Sequence, residues 1–221
     1  MPAVKIPRKS TDFDMTPFVD IAFLILSFFM LVTKFKPPQP VEITTPNSVS
    51  TIKLPEDDAI LVEIAGDGRI FFSMLAESKP EVKYQVIENL NKTRNLGLTE
   101  AEMQNYVRVH SVGVPFSQLK GLLSRPISTH KEIAQPGIPV LDSASNELFY
   151  WVRDAYTAFR GTKINFLIKG DNASKYPSFK RVLDAFKRND IYKFQLVTSP
   201  EDAPAGTELY KIRQGGGKVA G

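Results

Sequence analysis

Hydrophobic and polar positions follow three regimes along the chain. From Phe18 to Thr33 the sequence FVDIAFLILSFFMLVT is apolar, with Asp20 as its one charge. From Ile60 to Ser73 two short apolar runs flank Gly66-Asp67-Gly68, whose glycines can supply the positive φ angles of a tight turn, so a β-hairpin is predicted. Further on the period becomes helical. Pro177 to Asn189 places Phe179, Val182, Leu183 and Phe186 at i, i+3, i+4 and i+7, between the strand-like runs Lys163 to Lys169 and Ile191 to Thr198, which predicts a βαβ unit. Between hairpin and βαβ unit, Glu81 to Lys92 and Glu100 to Val109 are amphipathic. Asn146 to Arg160 carries Leu148, Val152, Tyr156 and Phe159 on one face with Trp151 beside it. Such stripes read first as core faces. The stretch Ser124 to Pro139, with Pro126, Pro136 and Pro139, interrupts the helical series and is either a connector or a partner contact.

The first apolar run has the length and the flanks of a membrane span. Met15 to Phe35 is 21 positions, or roughly 30 Å of helix, the thickness of a hydrocarbon core. Thr16 can cap such a helix, and Pro17 fits its first turn, where a missing N–H costs nothing. Lys34 and Lys36 can reach headgroups, and Pro37, Pro38 and Pro40 cannot continue a helix, so KFKPPQP reads as a stiff extended linker. A cleaved signal peptide fits less well, because no small-x-small site follows Thr33 and Asp20 is out of place in its apolar region. Lys5, Arg8 and Lys9 before the span, against Lys34 and Lys36 after it, favour an inside N-terminus.

Asp20 is the candidate functional residue. On a helix Thr16, Asp20, Ser27 and Leu31 share one stripe. A carboxylate near a bilayer centre costs on the order of 3 kcal/mol, so it usually faces a partner helix or a water-filled path and has a function. The competing reading makes Asp20 a boundary residue, since it lies only about 7.5 Å inside the start of the span. Ser27, deeper on the same stripe, suits close approach or a hydrogen bond between helices.

Composition narrows the function by exclusion. The 221 residues hold 28 Lys and Arg against 24 Asp and Glu, scattered without a basic face, so a nucleic-acid partner is not indicated. There is no cysteine, and His110 and His130 lie in polar, loop-like sequence where each reads as a surface residue, so a metal cluster or a Ser-His-Asp triad has little raw material. Gly215-Gly216-Gly217-Lys218 lacks the strand, the spacing and the hydroxyl of a phosphate loop and reads as a flexible tail. Glu56-Asp57-Asp58 lacks calcium-loop spacing and reads as a solvated turn. No enzyme, cofactor or metal is expected.

The run Asp14-Met15-Thr16-Pro17-Phe18-Val19-Asp20 ahead of an apolar helix resembles the start of the transmembrane segment in the ExbD/TolR family of biopolymer transport proteins. Ile52 to Pro55 (IKLP) is similar to the segment leading into that family's periplasmic domain. The resemblance implies that Asp20 is the proton carrier of a motor driven by the proton gradient, with Thr16, Pro17 and Ser27 facing the pore. It implies as partners an ExbB-like multi-span pentameric pore protein, a second copy of this chain inside that pore, and a TonB-like protein. A TolR-like role, in which the domain engages peptidoglycan and supports envelope integrity, is the nearest alternative, and a plain membrane anchor for a periplasmic binding or scaffold domain is another.

The expected architecture is therefore a single N-terminal transmembrane α-helix followed by a small periplasmic α/β (α+β) domain with a helical insertion. By residues this is a cytoplasmic segment at 1–14, a helix at 15–35, an extended linker at 36–55, the domain at 56–200 with the insertion at 75–160, and a tail at 201–221. The protein is expected in the inner membrane, with a cytoplasmic N-terminus and a periplasmic C-terminal domain. The resemblance is silent about the insertion.

Overall fold

The computed structural model describes residues 15–32, 39–49, 54–55, 57–130, 132–140, 146–161 and 163–200. The chain divides into two compact units, Met1–Pro37 and Pro38–Gly221. In the first, helix α1 runs Thr16–Val32, all of it exposed except the half-buried Ser27. Val19 N–H donates to the Met15 carbonyl at 3.1 Å, so the first turn closes on Met15 and Thr16 is the first helical residue, one place later than the cap expected for it. Pro17 sits where no intrahelical donor is needed. Seventeen residues span about 25 Å, and among the described residues no helix is long and apolar enough to cross a membrane. Residues 33–35 of the expected span lie outside the described residues, as do Glu56, Ile52, Lys53 and the tail at 201–221.

In the second unit a four-stranded sheet has the order β3-β2-β4-β5, from β2 (Ala59–Ile64), β3 (Ile70–Leu75), β4 (Asn165–Gly170) and β5 (Gln195–Val197). The hairpin β2–β3 is antiparallel, with Ile64 opposite Ile70, and β4 and β5 add in parallel. Its turn needs positive φ only at Gly68 (+89°), and Asp67 fixes it by accepting from Arg69 N–H and from the Arg69 guanidinium. Helix α6 (Tyr176–Lys187) crosses between β4 and β5, completing the βαβ unit.

The region between hairpin and βαβ unit holds α2 (Pro80–Arg94), α3 (Glu100–Arg108), α4 (Phe116–Leu123), a 3-10 turn at Ile127–Thr129, and α5 (Glu147–Ala158). These helices join the sheet in one core. Val86, Ile87 and Leu90 of α2, Leu119 and Leu123 of α4, and Leu148, Trp151 and Val152 of α5 are buried with Ile60, Val62, Phe72 and Ile168 of the strands. Trp151 is fully buried at the centre, its ring 5.2 Å from Phe72, 5.5 Å from Tyr106 and 5.7 Å from Phe116. Tyr156, expected on the buried stripe, is 47% exposed instead, because Trp151 and Ala155 occupy the face turned to the core.

The insertion also closes one sheet edge. Phe72 and Val112 exchange backbone hydrogen bonds at 2.8 and 2.9 Å, and Ile138 N–H donates to the Ile70 carbonyl at 2.8 Å, so β3 is not left open to other chains. The linker is less free than its proline content suggests. Strand β1 (Asn47–Ser48) pairs in parallel with β6 (Ser199–Pro200), and Thr44 N–H donates to Asp171 Oδ2 at 2.8 Å.

Candidate functional site

Asp20 lies in the second turn of α1 and is the one ionisable side chain in that helix. Around it Phe18, Val19, Ile21, Phe23 and Leu24 are each more than half exposed. A helix apolar on all sides cannot be satisfied by water and needs lipid or other apolar helices around it. Ser27 does not use its hydroxyl outward: Oγ donates to the Leu24 carbonyl at 2.9 Å, within the helix's own preceding turn. The hydroxyl's proton is thereby used within the helix, leaving Asp20 as the one ionisable group of its stripe. Thr16, Pro17, Asp20 and Ser27 all lie on this one helix.

A second polar group, in the other unit, was not foreseen. Glu63 of β2 is 3% exposed and pairs with Lys169, its register partner on β4, at 3.3 Å, while Ser111 Oγ donates to its other oxygen at 3.4 Å. The alternation of β2 marks Glu63 as facing away from the helices, which ordinarily means solvent. The inserted segment at 111–113 lies over that face and turns an outward pair into a buried one. Its charges are matched to each other, so it holds the fold without offering an open position. Among the described residues no group of three or more His, Cys, Asp or Glu is placed to hold a metal ion.

Two expectations about single residues change. His130 is buried, with Nε2 3.2 Å from the Arg125 carbonyl, because the 3-10 turn folds it back over the preceding residues. Asp57 and Asp58 form a turn, but a tied one: Lys79 Nζ pairs with Asp58 at 2.7 Å, and the Ser78 hydroxyl donates to Asp57 and holds its carboxyl below the usual range.

The sequence matches the ExbD/TolR family, described as biopolymer transport protein ExbD/TolR, over residues 7–201. The chain belongs to this family. The bounds of the match enclose α1, the hairpin and the βαβ unit. Membership gives it an energy-coupling role in biopolymer transport, within a membrane-associated complex, and a family not known for enzymes. No curated protein and no solved structure matches the chain.

Proposed function

We propose that this chain is the proton-carrying subunit of an inner-membrane motor that energises TonB-dependent outer-membrane transport. The observation that carries the proposal is the solitary carboxylate of Asp20 on a helix whose other exposed side chains are almost all apolar. In this reading 15–35 crosses the membrane once, with the N-terminus in the cytoplasm and the domain in the periplasm. Two copies of α1 stand inside an ExbB-like pore, and a proton arriving at Asp20 neutralises it so that the helix can pass an apolar stretch of that pore. One charge moving through 100 mV releases about 2.3 kcal/mol, so the work on a TonB-like partner is a sum over many steps. Thr16 and Pro17 fix where the helix begins and so the depth of Asp20.

The test is Asp20→Asn, which keeps the size and polarity of the side chain and removes its proton chemistry. The variant is expected to insert and to co-purify with its pore partner in normal amount, while gradient-dependent uptake across the outer membrane falls to background. Normal uptake by Asp20→Asn would overturn the assignment.

A further inference from the structure

The inserted region contains a cleft that the proton-carrying reading does not use. It has a volume of about 890 Å³ and is lined by α4 and by residues at 125–129 and 132–134. Its floor is apolar, made by buried Val114 and Leu122 and half-buried Ile133. The cleft is held by the chain itself: His130 packs back on the Arg125 carbonyl, Thr129 Oγ1 donates to the Pro126 carbonyl at 2.7 Å, and the 3-10 turn fixes the loop between them. It is an open concavity whose volume lies within the range of small-ligand sites, about 300–1,000 Å³.

Its lining carries one charge of each sign. Arg125 and Glu132 both line the cleft and are exposed, yet they make no ion pair with each other, and among the described residues neither side chain has a hydrogen-bond or ion-pair partner. The Gln118 side chain is in the same position. A ligand bearing one charge would be drawn to one of the two ionic groups and repelled by the other. A ligand bearing both charges, with an apolar body between them, satisfies the whole lining at once. At Gly121 a side chain would meet nothing within 4 Å, so this wall of the cleft is left open by the absence of a Cβ.

We propose that this cleft binds a short peptide with free termini and an apolar side chain. The peptide carboxylate pairs with the Arg125 guanidinium, whose forked N–H groups match two carboxylate oxygens. Its ammonium pairs with Glu132, its amides meet Gln118, and its side chain lies on Val114, Leu122 and Ile133. A volume of about 890 Å³ has room for more than one amino-acid residue.

The experiment is isothermal titration of the full-length chain in detergent with Ala-Leu-Ala, and with the same peptide acetylated at its N-terminus, amidated at its C-terminus, or both. Saturable binding is expected, and each single block is expected to weaken it about tenfold. Arg125→Gln should erase the penalty for amidation but keep that for acetylation, and Glu132→Gln should do the reverse. Both positions are exposed, so neither change threatens the fold. Gly121→Leu fills open space in the cleft and should abolish binding while leaving Trp151 emission unchanged. The proposal is overturned if no saturable binding appears up to about 10 mM peptide, a concentration that excludes affinities worth more than about 3 kcal/mol. It is equally overturned if the doubly blocked peptide binds as well as the free one, or if the two charge variants fail to separate the two ends.

Discussion

Gly113 shows how one residue can be set by a contact far away in sequence. A Cβ on it would stand 2.1 Å from Cδ1 of Phe71, because the inserted loop lies flat on that ring. Gly113→Ala must push the ring or the loop aside, and overpacking of this kind costs about 1–3 kcal/mol. The expected result is a lower urea midpoint for the full-length chain, read from the fluorescence of its single tryptophan; an unchanged midpoint would mean that the ring yields freely. In the sequence Gly113 looks like any loop glycine, since what forbids a side chain there is 42 residues away. His130 carries the same lesson in reverse: its polar neighbours mark it as a surface residue, and only the fold of the 3-10 turn buries it. Asp20 differs from both. Its environment is written in the adjacent residues of its own helix, so it is legible from sequence.

At the scale of elements, α4 escaped the sequence reading because it is only eight residues long, starts after Pro115 and contains Gly121. Its first turn is completed from outside: Phe116 N–H donates to Oε2 of Glu147, the first residue of α5, at 2.7 Å. Burial pushes the Glu147 carboxyl above its ordinary 4.5, outweighing the opposing pull of the Phe116 N–H and of Arg94. The folded state therefore holds this proton more tightly than the unfolded state does. Its contribution favours folding at low pH and is lost as pH rises through the folded value. Glu147→Gln keeps an acceptor for Phe116 and removes the titration. It should gain stability over the parent as pH rises through that window, and lose the advantage as pH falls below the ordinary glutamate range. Urea denaturation across pH checks this, and a difference that stays constant with pH would sink it. The hairpin, the βαβ unit and helices α2, α3 and α5 were legible because each carries its own periodicity or turn chemistry. Helix α3 also carries a capping box, Thr99 with Glu102, both of whose hydrogen bonds form.

At the scale of the whole molecule, the inserted helices are part of the core of the domain and not an appendage to it. Trp151, Leu148, Val86, Leu90 and Leu119 cover the same face of the sheet that Ile60, Val62, Phe72 and Ile168 present. Excising 76–160 and rejoining β3 to β4 with a short linker is expected to leave that face bare and to abolish cooperative unfolding, as measured by circular dichroism against urea. A cooperative transition in the excised chain would show that the hairpin and βαβ unit suffice alone. The sequence by itself determined the local pieces: an apolar helix with one acid, a turn at Gly66 to Gly68, amphipathic helices, and a strand-helix-strand ending. Each follows from propensity and spacing within some twenty residues. Only the tertiary structure decided what lay between pieces. It made Trp151 the centre of the core, buried Glu63 against Lys169, closed the β3 edge with Val112, and tied the linker to Asp171. Such facts depend on which distant segments become neighbours, and residue spacing along one segment carries no record of that.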